Sequence, residues 1–208
     1  MRGASTVFVV DDEEAICDSI ALLLRSVGLA SRTYSDPKRF LEEFDPGHSG
    51  CIVIDVRMPG VNGLDVQRAL NERRCAMPLI FITGHGDVPM AVEAMRNGAF
   101  DFLQKPFNDD DLIRRVQKAL DQDTRDRARL EHIDETRRHW LGLTTREREI
   151  ADRLVDGAAN KVIALDLEIS ERTVELHRAR VMQKMEARSF AQLVQMVLSL
   201  RQGAADPN

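Results

Sequence analysis

Cysteine is scarce in this 208-residue chain: Cys17, Cys51 and Cys75 are odd in number and scattered, with no Cys-x-x-Cys and no Cys/His cluster. That excludes a disulfide framework and a structural zinc site and leaves reduced, structural thiols. No stretch approaches the roughly 18 apolar residues of a membrane-spanning helix. The opening MRGASTVFVVDD meets its first acids too early for the apolar core of a signal peptide. A cytoplasmic protein without a membrane partner is expected. There are no internal repeats and no low-complexity tracts. A basic excess is also missing, since the net charge is −5. This speaks against indiscriminate nucleic-acid binding.

What is present is an ordinary globular composition, 43% hydrophobic and 30% charged, long enough for about one and a half typical domains. The charge is uneven. Residues 1–120 carry 14 Lys+Arg and 18 Asp+Glu, residues 121–140 carry 5 and 6, and residues 141–208 carry 10 and 10. The acidity belongs to the first part, so any DNA footprint must be local to the last.

The first part alternates strand and helix signals. Apolar runs at 6–10, 51–54, 79–82 and 100–103, with a weaker one near 30–34, are separated by helical patterns near 14–26, 37–44, 64–73, 88–97 and 108–120. Strands apolar on both sides belong to a covered parallel sheet, and the alternation predicts a doubly wound, five-stranded α/β domain over 5–121. Residues 122–140 mix both charge signs at helical spacing and lack Gly and Pro, which predicts a charged helical linker. Residues 141–203 predict an all-α, four-helix domain. Thr144 with Glu147 fits a capping box, and Gly157 suits the first stop. A short helix follows from Asn160 to Leu167. Ser170 caps a third helix to about Met185, and Ser189 a fourth to about Leu200. Gly203 to Asn208 reads as a frayed tail.

Ligands of an open parallel sheet sit beyond the carboxyl ends of its strands. Asp11, Asp12, Asp55, Thr83 and Lys105 fall there. Three carboxylates repel unless a hard cation joins them, and Mg²⁺ suits carboxylates plus phosphate oxygens. Lys105 offers a point charge and Thr83 a hydroxyl. Asp55, between an apolar strand and the turn Met58-Pro59-Gly60, can act as a nucleophile and form an acyl phosphate. An aspartyl-phosphate hydrolase uses similar parts but needs a second acid two residues on, where this chain has Arg57.

Val10-Asp11-Asp12-Glu13, Ile54-Asp55-Val56-Arg57-Met58-Pro59-Gly60, Ile82-Thr83-Gly84-His85 and Leu103-Gln104-Lys105-Pro106-Phe107 resemble the receiver domains of two-component response regulators. The resemblance implies that Asp55 takes a phosphoryl group from a sensor histidine kinase. It implies Mg²⁺ on Asp12, Asp55 and the Arg57 carbonyl, with Asp11 acting through water. Thr83 and Lys105 would hold the aspartyl phosphate, Phe102 would be the switch aromatic, and the Lys105–Pro106 bond would be cis.

The layout from Asn160 to Met185 is that of a helix-turn-helix, whose second helix enters the major groove. Val162, Ile163, Leu167, Ile169, Val174, Val181 and Met185 are the expected core. Glu175, Leu176 and Ala179 are expected toward base edges, and Lys161, Arg172, Arg178 and Lys184 on phosphates. Leu143-Thr144-Thr145-Arg146-Glu147, Asn160-Lys161-Val162-Ile163-Ala164, Ile169-Ser170-Glu171-Arg172-Thr173-Val174-Glu175-Leu176-His177-Arg178 and Met182-Gln183-Lys184-Met185 resemble the LuxR-type output domain. The same match brings Asn160 and Thr173 into the DNA-contacting set. The whole chain resembles the NarL/FixJ transcription regulators. Gly84-His85-Gly86-Asp87-Val88-Pro89-Met90 and Arg172-Thr173-Val174-Glu175-x-His177-Arg178 resemble the FixJ branch. That likeness implies phosphorylation-controlled binding to double-stranded promoter DNA and RNA polymerase as a partner. Val88, Val92, Met95 and Ala99, at i, i+4, i+7 and i+11, predict leftover apolar surface for a homodimer formed on phosphorylation.

Overall fold

The apolar runs become five parallel strands because helices cover both faces of the sheet they form. The computed structural model describes residues 5–84 and 88–205; the His85-Gly86-Asp87 part of the FixJ-like phrase and residues 206–208 lie outside the described residues. The strands are β1 (Thr6–Val10), β2 (Ala30–Tyr34), β3 (Gly50–Asp55), β4 (Leu79–Thr83) and β5 (Asp101–Gln104), in the order β2-β1-β3-β4-β5. Central β3 is buried along its whole length. Alternate residues serve opposite layers. Phe8, Ile52, Ile54 and Phe81 pack with Phe40, Leu64 and Ala94 on one face. Val7, Val53, Ile80 and Ile82 pack with Ile20, Leu24, Leu112 and Val116 on the other. At about 1.5–3 kcal/mol for each such side chain, this double layer dominates the stability of the domain.

The first four helices are α1 (Glu14–Ser26), α2 (Pro37–Glu43), α3 (Gly63–Glu72) and α4 (Val88–Arg96). Asp36 caps α2 by accepting from Lys38 N–H, and Asn62 and Asp65 form a reciprocal capping box at the start of α3. The fifth, α5 (Asp109–Leu141), runs unbroken through residues 122–140. The chain divides into two compact units after Asp126, five residues beyond the boundary expected at 121. Asp123 explains the difference. It is buried, and its carboxylate accepts from Ser49 Oγ at 2.8 Å and Gly50 N–H at 2.9 Å, tying α5 to the start of β3. Cys17 and Cys51 are buried and Cys75 is half-buried; burial pushes the Cys51 thiol up to about 12.

The second unit contains α6 (Thr145–Val155), α7 (Asn160–Asp166), α8 (Glu171–Lys184) and α9 (Phe190–Ala205). The Thr144–Glu147 capping box forms, Ser170 accepts from Thr173 N–H, and Ser189 Oγ accepts from Gln192 N–H. Gly157 ends the first helix with φ of +85°, a conformation costly for other residues. Leu143, Val181, Met185 and Leu193 form one core with Trp140, and Ile150, Ile163 and Val174 another with Leu167 and Ile169. Two expectations fail. Val162 is 48% exposed rather than core, because a seven-residue helix buries one narrow stripe, filled here by Ile163 and Ala164. Helix α9 continues to Ala205, past Leu200 and through Gly203; one glycine costs about 1 kcal/mol in a helix and does not by itself end one.

Candidate functional site

The parallel sheet delivers Asp11, Asp55, Thr83 and Lys105 to one edge, since each follows or ends a strand of the same polarity. Lys105 Nζ donates to Asp11 Oδ2 and to Asp55 Oδ1, both at 2.8 Å. Asp55 Oδ2 accepts from Arg57 N–H at 2.6 Å, and Asp11 Oδ1 from Glu13 N–H at 3.0 Å. Asp55 is 7% exposed. Burial pushes its carboxyl above the ordinary range, against the pull of Lys105 and with a push from Asp11. Burial also works against the Lys105 ammonium, yet its bonds to Asp11 and Asp55 outweigh that and hold it above the usual lysine value.

Of the three expected acids, Asp11 and Asp55 meet at Lys105 inside the edge. Asp12 is exposed, and among the described residues no group of three ligand side chains gathers. Lys105 stands between the other two carboxylates and supplies the positive charge they lack. Thr83 is buried, and its carbonyl accepts from Lys105 N–H. Phe102 is partly buried against the core face that holds Ala94 and Ala99. The Lys105–Pro106 bond is cis. Gly63 went unnoticed in the sequence. A Cβ there would stand 2.4 Å from the Asp55 carbonyl oxygen and 3.2 Å from Val56 Cα, so only glycine lets α3 start against the carboxylate-bearing turn. Along α4, Val92 (46% exposed) and Met95 (47%) lie open, while Ala94 and Ala99 are core; Ala99 therefore leaves the expected surface line.

In the second unit, Arg172, Glu175, Leu176 and Ala179 share the exposed face of α8, opposite buried Val174 and Val181. Arg180 and Gln183 are exposed on the same side. Neither was among the expected DNA contacts, although 100° per residue places both there. Asn160, Lys161 and Arg178 line one hollow of about 430 Å³ beside the exposed face. Arg178 is held 5.0 Å over the Phe190 ring. The Thr173 hydroxyl lies 2.8 Å from Ser170 Oγ at the helix cap. Lys184 is not presented like the others. Its ammonium lies 2.7 Å from Glu147 Oε2, so this structure commits it to a carboxylate.

Comparison with known proteins identifies both parts of the chain. Residues 7–117 match the response regulator receiver domain, and residues 141–197 the luxR family of bacterial regulatory proteins. The transcriptional regulatory protein FixJ of Azorhizobium caulinodans is 46% identical over 206 residues, 99% of this chain and 98% of that protein. The solved structure of the response regulator StyR is 39% identical, covering 94% of this chain and 98% of that one with a TM-score of 0.84. Full-length FixJ from B. japonicum is 38% identical, covering 95% and 98% with a TM-score of 0.60. A family match at each end and similarity along nearly the whole length admit one assignment: the chain belongs to the two-component response regulators that join a receiver to a LuxR-type DNA-binding domain, and is a phosphorylation-controlled transcription regulator.

Proposed function

We propose that Asp55 is the phosphoacceptor. The observation that carries this is the Asp55 carboxylate at the tip of the central strand, with Lys105 Nζ at 2.8 Å. A sensor histidine kinase presents a phosphohistidine, and an ionised Asp55 oxygen attacks the phosphorus: the acyl-phosphate P–O bond forms as the P–N bond breaks, and the kinase imidazole leaves with the electron pair. Lys105 then exchanges a carboxylate partner for a phosphoryl oxygen, and the Thr83 hydroxyl donates to another. Asp12, Asp55 and the Arg57 carbonyl, with Asp11 through water, offer the oxygen donors that Mg²⁺ prefers, and a buried acid pair served by one lysine suits a further cation. Bound there, Mg²⁺ neutralises charge on the phosphoryl oxygens. The same groups support self-phosphorylation from small phosphodonors and slow self-dephosphorylation.

The phosphoryl state passes through Thr83 and Phe102 to α4 and β5, where exposed Val92 and Met95 meet a second copy. The dimer places two α8 helices on paired half-sites of promoter DNA in the cytoplasm, and RNA polymerase is the downstream partner. Glu175, Leu176 and Ala179 face base edges, and Lys161, Arg172 and Arg178 contact phosphates. Acetyl phosphate with Mg²⁺ tests the centre of this reading. The parent chain should gain one acid-stable, base-labile phosphoryl group by mass spectrometry, and Asp55→Asn none. A phosphoryl group on the variant would overturn the assignment.

A further inference from the structure

A lysine near the end of a DNA-reading helix is first expected on a phosphate. Lys184 has a different environment. Its partner Glu147 is 3% exposed and sits in the first turn of α6. Besides Lys184, Glu147 Oε2 accepts Thr144 N–H at 2.8 Å. Thr144 Oγ1 in turn accepts Glu147 N–H at 3.3 Å. The bonds that reach the carboxylate, led by that from Lys184 and joined by those from Thr144, outweigh burial and hold the Glu147 carboxyl at about 2. One carboxylate therefore joins three pieces of chain: the corner after α5, the start of α6 and the last turn of α8. The neighbouring core repeats the connection, since Leu143 and Met185 share a cluster with Trp140 and Met182.

Moving Lys184 to a phosphate would leave a buried carboxylate with Thr144 as its one remaining partner. An unpartnered buried charge is far more costly than one solvent-screened surface contact is favourable. The ammonium therefore stays with Glu147 when DNA binds. We propose that Lys184 is a positioning residue, not a phosphate contact: through Glu147 it locks the C-terminal turn of α8 to the α5–α6 corner and so sets the angle at which α8 meets the groove. The proposal rests on the reading that α8 lies on DNA. Through Thr144, Glu147 also ties that angle to the corner that follows α5.

The test uses the full chain, phosphorylated, on a duplex selected in vitro by the parent protein, over a series of salt concentrations. The variants are Lys184→Met, Lys184→Arg, Glu147→Gln and the Lys184→Met/Glu147→Gln pair. Circular dichroism gives the folded fraction, and affinities refer to folded molecules. Lys184→Met should lose about tenfold in affinity, mid-range for coupled neighbours, with the salt slope unchanged. Lys184→Arg should recover most of that loss, and the pair should be no weaker than its weaker member. A slope that falls by about one for Lys184→Met marks a phosphate contact and overturns the proposal. Parent affinity among folded Lys184→Met molecules marks a purely structural bridge and overturns it too. Arg172→Ala binding with parent affinity and slope would instead remove α8 from the DNA, and the proposal with it. Lys184→Met decides the matter even where Glu147→Gln fails to fold.

Discussion

Replacing Asp55 with asparagine should make the resting protein more stable while abolishing its phosphorylation. The carboxylate is 7% exposed and shares one ammonium with Asp11. Withdrawing such an ion from water costs several kcal/mol in a real protein. Asparagine removes that cost and keeps one carbonyl oxygen for Lys105. Two losses oppose the gain: the bond from Arg57 N–H, about 1 kcal/mol, and the charge on the acceptor of Lys105, about 1.5–3 kcal/mol. The balance favours Asp55→Asn by about 1–2 kcal/mol, and a chain of this length should melt roughly 2–4 °C higher for each of these. The sign agrees with the carboxyl, which burial holds above its ordinary value. An acid raised in the fold penalises the fold when ionised, so the gap between variant and parent should narrow as pH falls through the raised value. The assay is thermal unfolding by circular dichroism in the presence of a chelator, at pH 7.5 and at decreasing pH. Adding Mg²⁺ should raise the parent melting temperature more than that of the variant. A variant that melts below the parent at pH 7.5 would refute the view that this site is held at a cost.

Three further outcomes follow from the geometry. Glu147, held at about 2, contributes stability that is complete above the unfolded carboxyl range and is lost as pH falls toward 2. Because Lys184 is 40% exposed, screening reduces this to about 1–2 kcal/mol. Fluorescence of Trp140, which packs beside Leu143, should report an acid transition of the second unit that flattens in Glu147→Gln. Asp123→Ala strands the buried Gly50 N–H and should destabilise the first unit by about 2–4 kcal/mol, read as faster hydrogen exchange in β1 and β3; unchanged exchange would remove Asp123 from that unit. Val92→Asp, at an exposed position, should leave melting within about 0.5 kcal/mol of the parent but keep the phosphorylated protein monomeric in sedimentation.

The sheet was readable because β3 and β4 are apolar on both faces and end at chemically informative residues, Asp55 and Thr83. Helix starts were readable where side chain and backbone agree locally, at Thr144, Ser170 and Ser189. What escaped depends on partners distant in sequence. Asp123 looks like one more linker charge until Ser49 and Gly50, over seventy residues away, are placed beside it. Lys184 looks like a DNA contact until Glu147, thirty-seven residues earlier, is seen to be buried. Val162 and Ala99 were misassigned because periodicity reports which residues share a face but not how wide the covered stripe is. Asp11 and Asp55 lie at the sheet edge where their strands end, but sequence alone does not reveal that Lys105 occupies the space between them.

The arrangement of the three sulfurs gives the molecule a built-in chemical handle. Cys17 and Cys51 are sealed in the core, where burial pushes both thiols up, so thiolate-seeking reagents find almost nothing there in the native fold. Cys75, between α3 and β4, is partly accessible. One equivalent of a maleimide dye should therefore attach at Cys75 alone. The labelled protein would carry its fluorophore on the receiver side of the chain, while native Trp140 lies in the DNA-binding side. The unaltered sequence thus already holds the donor and a single attachment point for an acceptor, so the two can be compared in solution before and after phosphorylation.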